Sequence, residues 1–434
     1  MTAFDALSAT EGPCVLFEST TAPGPLARLS LVARHPRAVV VTDRAGTRVA
    51  TASGITAMAG DPLDALRSLC REVPPGTWPD EGGIAGVLAY DFARPGHAAA
   101  PTPLLYALVV DRFLVHDADG TRATEGGPPR AEVGGFADEP WTRPLRPVPR
   151  AGATGLAAWS SLSRDEHRAL VLRVKEHVAA GDIYQANLSQ RFQLPFAAGG
   201  LDLYRRLRAL SPAPFSGYVR GPGFEIASAS PERLLEVRDG RMSTRPIAGT
   251  RPRAADPSAD RALAAELLLS EKERAEHLML VDLARNDLGR VAAMGSVSVD
   301  ELMTVEDYAQ VRHIVSNVRA RLAEGRDALD ALRALFPGGT ITGVPKVRCM
   351  RLLDALEPVP RGFYTGALFY LTTSGRLDAN ILIRSAVVAG GAVTFHTGGG
   401  IVADSDPDHE YRETLHKAEG MRLALLAAGA TEAL

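Results

Sequence analysis

Helix-start signals and strand-like apolar runs are interspersed along residues 161–434 without a βαβ rhythm. Ser163 and Glu166 make a capping-box pattern, followed by Leu170, Val171, Val174 and Val178 at helical spacing and by Gly181 at a suitable C′ position. Ser270 and Glu273 repeat the pattern and open a second helix expected to run through Arg285. Asp406-Pro407 supplies an N-cap and then proline at the first helical position, opening a third helix through Tyr411, Leu415 and Ala418. Between the second and third lie runs 367–371 and 381–388, which read as strands. A parallel sheet needs a crossover helix after each strand, and this order does not provide one. The sequence therefore predicts an α+β (mixed α/β) fold with large, mainly antiparallel sheets flanked by helices.

Upstream, residues 1–125 hold short apolar runs such as 38–41 and 105–110, expected to form a β-rich N-terminal subdomain. Residues 126–160 carry Pro128, Pro129, Pro140, Pro144, Pro147 and Pro149 with glycines between them, which is linker composition. Residues 161–434 would be the catalytic region. Net charge is −3 and aromatic content 6%, which gives neither the basic footprint nor the stacking platform of a nucleic-acid binder. Cys14, Cys70 and Cys349 lack CxxC spacing, so they are expected to be buried thiols rather than zinc ligands or disulfides. The first residues lack a basic segment followed by an apolar one, and no apolar run approaches the ~20 residues of a membrane helix. A cytoplasmic location is expected.

The second and third helices each carry a carboxylate pair at i,i+3: Glu273 with Glu276, and Glu410 with Glu413. Three residues apart on a helix means one face. If the helices meet, four such carboxylates make a hard oxygen site suited to Mg²⁺; if not, they are solvated faces. The run 396–400 (HTGGG) could bring backbone N–H groups up to an anion or simply turn the chain. Run 338–346 (GGTITGVPK) displaces its lysine from the glycines and places Pro345 before it, so no nucleotide loop is expected. Arg384, inside an apolar run, needs an anionic partner, whether a structural glutamate or a ligand, and Tyr364 and Lys417 are further carboxylate-holding candidates. His313 is a candidate proton donor or a structural histidine. No G-x-S-x-G and no amidotransferase cysteine elbow is present, so the chain is not expected to release ammonia from glutamine itself.

Six segments then fall in a telling order: 182–190 (DIYQANLSQ), 229–234 (ASPERL), 245–250 (RPIAGT), the Glu273/Glu276 helix, 338–346, and 398–405 (GGGIVADS). In these motifs the chain resembles the chorismate-utilising enzymes, and it looks like component I of aminodeoxychorismate synthase and of anthranilate synthase. The likeness is strong over residues 160–430 and looser through 82–94 (GGIAGVLAYDFAR). It implies the chorismate-binding fold. Glu273, Glu276, Glu410 and Glu413 would hold Mg²⁺, which grips the ring carboxylate of chorismate. Tyr364, Arg384, Gly398 and Gly399 would hold the enolpyruvyl carboxylate, with Lys417 nearby. Glu232 would be the general acid for the 4-hydroxyl, and His313 and Thr340 would line the ring. Relatives that add water carry a lysine base where Gln185 stands; glutamine cannot deprotonate water, so ammonia is the expected nucleophile. A separate glutamine amidotransferase subunit would supply it.

The resemblance also frames the product. Typical aminodeoxychorismate synthases read Pro-Ile-Lys-Gly-Thr and attack the ring with that lysine; here Ala248 takes its place, as in anthranilate synthases. Segments 338–343 (GGTITG), 377–384 (LDANILIR) and 397–400 (TGGG) are similar to the p-aminobenzoate branch. The expectation is amination to 4-amino-4-deoxychorismate through a noncovalent 2-amino-2-deoxyisochorismate. The alternative is anthranilate plus pyruvate. A non-catalytic binder of chorismate-like carboxylates would lack Mg²⁺-dependent turnover.

Overall fold

The computed structural model describes residue 7 and residues 12–20, 29–94, 102–117, 120–122, 136, 139–254, 256–307 and 311–430. Two large sheets dominate, and every strand pairing among the described residues is antiparallel. The first runs, in spatial order, Gly343–Val344, Gln185–Pro195, Ala392–Ile401, Ser385–Ala389, Phe224–Ser230, Phe215–Gly221, Cys14–Glu18, Leu29–Arg34, Leu114–Asp117 and Gly120–Arg122. The second runs Ile247–Pro252, Val311–Arg321, Arg241–Thr244, Arg233–Arg238, Leu377–Asn380, Ala367–Thr372, Gly83–Leu88, Leu105–Val110, Ala38–Asp43, Gly46–Thr51 and Gly54–Met58, with Ser298–Asp307 also paired to Val311–Arg321. Strands from the first 122 residues thus complete both sheets, and run 105–110 is a strand as expected.

Strand alternation sets the layers. Val15 and Phe17 meet Val39, Val41, Val87 and Leu108 of the other sheet, forming a core between the two sheets. Cys14 and Leu16 turn the other way, onto a core shared with helices Gly200–Leu210 and Pro407–Ala427. The outer face of the second sheet packs Val40, Leu105 and Phe369 against helices Pro62–Arg71, Ala328–Leu335 and Glu271–Gly289. Burial of this period-two pattern on both faces is what holds antiparallel sheets face to face. The three cysteines are free and buried, and no described helix is long and apolar enough to cross a membrane.

The capping signals place the helices well. Ser163 and Glu166 form a complete capping box on Arg164–Ala179, and Gly181 has φ +75° just past its end. Asp406 accepts from His409 N ahead of Pro407. At Glu271–Gly289 only half the box forms: Ser270 Oγ accepts from Glu273 N at 3.3 Å, while the Glu273 carboxylate is engaged elsewhere. Two expectations need correction. Run 381–388 is not one buried strand: Leu377–Asn380 ends first, Arg384 sits at φ +50° in a bend and is exposed, and the next strand is Ser385–Ala389. A left-handed arginine cannot continue a ladder, so the bend carries it out of the core. The glycine run 398–400 is not a turn after a strand but the last part of strand Ala392–Ile401. Of the 126–160 stretch, residues 126–135, 137 and 138 lie outside the described residues, and from 139 onward it forms short turns Pro140–Thr142 and Gly155–Trp159.

Candidate active site

Strand Gln185–Pro195 is the spine of the site, flanked by Gly343–Val344 on one side and the glycine end of Ala392–Ile401 on the other. Its partner Ser385–Ala389 pairs with Ala392–Ile401 only as far as Phe395, so beyond Phe395 that second edge is not laddered. Lys417 Nζ donates to Gly398 O there at 3.0 Å. Gly400 has to be glycine: a Cβ would lie 2.1 Å from Gln185 Nε2. Gln185 is 4% exposed and its Nε2 donates to Glu276 Oε1 at 2.8 Å.

Glu276 and the Glu410/Glu413 pair come to neighbouring glycines of one strand. Glu276 reaches Gln185 over Gly400, while a Cβ on Gly399 would meet Glu410 Oε2 at 3.3 Å and Glu413 Oε1 at 3.8 Å. Lys417 pairs with Glu413 at 2.7 Å. Burial, and then the nearby Glu413 charge, push the Glu410 carboxyl above its ordinary range, while Ser405 and Lys417 pull it back. Glu273 faces Arg251 Nη1 at 3.3 Å and would crowd a Cβ at Gly249. Among the described residues no three His, Cys, Asp or Glu side chains converge at metal-holding distance. The donor chemistry still fits a hard cation: Glu410, raised by burial and then by its neighbour's charge, lies beside Glu413, with a lysine as the countercharge at hand.

Glu232 and Thr340 line a small cavity of about 30 Å³ with Thr244, Asp287 and the apolar Leu280, Ala284 and Ile381. Burial pushes the Glu232 carboxyl up to about 7, and the neighbouring Thr340 hydroxyl offsets part of that rise without reaching hydrogen-bond geometry. Across the cavity Asp287 Oδ2 accepts from Lys346 Nζ at 2.5 Å, and Lys346 also donates to Leu335 O at 2.9 Å. The lysine of run 338–346 is therefore a structural clamp.

Ala248 is buried opposite Ile314, and the pairing shifts before Thr250 meets His313. The bulge, with Gly249 at φ +67°, turns its carbonyl to His313 Nδ1 at 3.2 Å. A carbonyl only accepts, so Nδ1 carries the proton. Burial holds His313 down at about 4, with the Arg384 charge adding to it, which favours the neutral ring near pH 7 with its proton on Nδ1. The expected proton donor is thus an acceptor in this geometry. Arg384 itself is exposed at its bend. Tyr364 is buried, stacked on His396 with ring centroids 4.9 Å apart, and under the guanidinium of Arg361.

Two contributors escape the sequence reading. Asn187 Nδ2 donates to Thr340 O at 3.2 Å, joining the Gln185 strand to the Glu232 cavity. Arg361, 2% exposed, holds Glu357 and donates to the carbonyls of Asn187 and Ile341. The i,i+4 spacing of Glu357 and Arg361 was the available signal, but most such pairs are surface pairs.

The chorismate binding enzyme profile matches residues 12–422. The chain is 42% identical to anthranilate synthase component 1 of Streptomyces coelicolor, covering 99% of this chain and 87% of that protein. It is 38% identical to aminodeoxychorismate synthase component 1 of Bacillus subtilis, covering 97% and 93%. Anthranilate synthase component I from Streptococcus pneumoniae superposes with a TM-score of 0.77 at 29% identity, covering 97% of each chain. Matched over residues 12–422 and along nearly its whole length by these relatives, this chain belongs to the family of chorismate-binding enzymes.

Proposed function

We propose that this chorismate-utilising enzyme is the synthase component of an aminodeoxychorismate synthase, which aminates chorismate to 4-amino-4-deoxychorismate with ammonia from a glutamine amidotransferase subunit. The observation that carries the reading is the state of His313. Release of pyruvate, as anthranilate formation requires, needs a proton delivered to the enolpyruvyl methylene. Burial favours the neutral form of His313, and Gly249 O faces its Nδ1, which argues against His313 as that donor. The chain is also 38% identical to the aminodeoxychorismate synthase components of Bacillus subtilis and Salmonella typhimurium, which is compatible with this branch. The alternative, anthranilate synthase component I, is favoured by Ala248 and by the 42% identity to the Streptomyces protein.

Chorismate is a dianion, and its binding needs fixed positive charge and N–H donors. Arg384, Tyr364, Lys417 and the open edge at Gly398 and Gly399 are the groups for the enolpyruvyl carboxylate. Glu273, Glu276, Glu410 and Glu413 would hold Mg²⁺, which when bound supplies countercharge for the ring carboxylate. Glu232, half protonated near pH 7, gives its proton to the departing 4-hydroxyl while ammonia adds to the ring. Ala248 offers no nucleophile, so 2-amino-2-deoxyisochorismate stays noncovalent until a second ammonia adds at carbon 4 and displaces the first amine.

The test is product identity. Purified chain with chorismate, ammonium chloride and Mg²⁺ is expected to consume chorismate, to ignore glutamine, and to yield p-aminobenzoate once an aminodeoxychorismate lyase is added. Anthranilate and pyruvate as the products would move the chain to the other branch. Glu413→Gln is expected to raise the Mg²⁺ concentration needed for half-maximal activity by roughly 10–100-fold. An unchanged Mg²⁺ titration would remove Glu413 from the metal site.

A further inference from the structure

Helix Glu271–Gly289 is tied to both sheets through two consecutive residues. Glu276 accepts from Gln185 Nε2, on the first sheet, at 2.8 Å. His277 Nε2 lies 2.6 Å from Ser316 Oγ, on strand Val311–Arg321 of the second sheet. Consecutive side chains leave a helix about 100° apart. A helix held by one such contact can still roll about it. Held by two, to different sheets, its roll is fixed.

Ser316 is itself anchored. Its backbone N donates to Pro246 O at 3.3 Å, and its Oγ accepts from Met303 N at 2.9 Å. Met303 N is free to do so because the pairing of Ser298–Asp307 with Val311–Arg321 shifts between Glu301 and Thr304, with Met303 at φ +53°. That backbone conformation is unfavourable for a methionine. Pro246, in turn, lines the Glu232 cavity. The serine hydroxyl is thus a fixed point between the cavity wall and the helix that carries Glu273 and Glu276.

His277 and Ser316 are both 0% exposed. A leucine would fill the space of the imidazole, and the imidazole has a cost that leucine lacks: its Nδ1 is buried with no hydrogen-bond partner. Its one side-chain bond goes to the anchored hydroxyl.

We propose that His277 is a positioning residue: through the Ser316 hydroxyl it sets the roll of helix Glu271–Gly289 so that Glu276 meets Gln185 and the Glu273/Glu276 pair faces the site. This rests on the reading above that these glutamates hold Mg²⁺. A packing role and a positioning role predict opposite results for a leucine at this place.

The test uses the full chain with His277→Leu, His277→Gln and Ser316→Ala. Mg²⁺ binding is read without turnover, as the rise in thermal midpoint on adding MgCl₂ in the absence of chorismate. His277→Leu is expected to unfold without Mg²⁺ no earlier than wild type, and yet to need about 10-fold more Mg²⁺ for the half-maximal shift. Ser316→Ala should show the same 10-fold loss. His277→Gln, which keeps a polar atom at the reach of Nε2, should return the Mg²⁺ midpoint to within about twofold of wild type. A wild-type Mg²⁺ midpoint in both His277→Leu and Ser316→Ala overturns the proposal, and so does a loss that His277→Gln shares in full. If the wild type shows no Mg²⁺ shift at all, the metal reading falls, and amide exchange in residues 271–280 decides the role of His277. Faster exchange in His277→Leu but not in His277→Gln, at unchanged global stability, upholds it; wild-type exchange in His277→Leu overturns it.

Discussion

Glu232→Gln is expected to lower kcat by ~10²–10⁴-fold, the usual worth of a positioned proton donor, while stabilising the folded chain above neutral pH. The two effects share one cause. Burial raises the Glu232 carboxyl from 4.5 to about 7, so the folded state holds a proton that the unfolded chain releases earlier. Stability from that proton is full below about 4.5 and is lost as pH rises through about 7. Above that, the fold carries a buried, largely uncompensated carboxylate. Glutamine has the same shape and never ionises. The variant should therefore gain stability over the wild type as pH climbs through this window, by on the order of 1–3 kcal/mol at pH 8. Wild-type kcat/KM should fall above about pH 7 as the acid form disappears. Denaturant unfolding at pH 5 and pH 8, with a pH–rate profile on each protein, checks both. A variant with wild-type turnover, or with no pH-dependent gain in stability, would show that Glu232 is not the buried acid described.

The parts legible in the sequence are those written in local chemistry. Ser163, Ser270 and Asp406 announce helix starts because a cap is satisfied within three residues. The i,i+3 glutamate pairs are legible as one-face pairs for the same reason. What failed depended on partners far away in the chain. Run 381–388 has the composition of a strand, yet Arg384 bends it at φ +50°, and nothing local in the apolar residues signals that. Glycines 398–400 suggest a turn, but they are in a strand because the amides of the neighbouring strand need the space their missing side chains leave. Asn187 looked like one more polar residue of a motif. Its meaning comes from Thr340, 153 positions away. His313 was legible as a ring-lining candidate, but its protonation is decided by the Gly249 carbonyl, which faces it only because the Ala248–Thr250 bulge exists.

Glu357→Gln is expected to destabilise the chain by roughly 3–5 kcal/mol, the cost of leaving a buried charge without its partner. Arg361 is the largest fully buried side chain among the described residues, and its guanidinium spends every arm. Nε and Nη2 donate to the two Glu357 oxygens at 2.8 and 2.7 Å, Nη1 to Ile341 O at 2.9 Å and to Thr365 Oγ1 at 3.3 Å, and Nη2 also to Asn187 O at 2.6 Å. Glu357 Oε1 in turn accepts from Ser189 N at 2.9 Å and Ser189 Oγ at 2.8 Å. The pair therefore pins the spine strand at two successive outward positions, and pins the turn that carries Thr340, while Tyr90 and Tyr364 flank the cation. Glutamine keeps the shape but not the charge, so it leaves Arg361 buried and unmatched. Arg361→Met should cost a similar amount by stranding Glu357. The double replacement Glu357→Leu with Arg361→Met removes both charges, and should be less destabilised than the sum of the two singles by several kcal/mol. Activity should not follow stability. The double variant, though better folded than either single, should still turn over poorly, because Asn187 O and Ile341 O lose the donors that fix the strand against the turn. Strict additivity in denaturant unfolding would mean the two side chains act separately; recovery of full activity in the double variant would mean that the cavity and the amides hold their places without them.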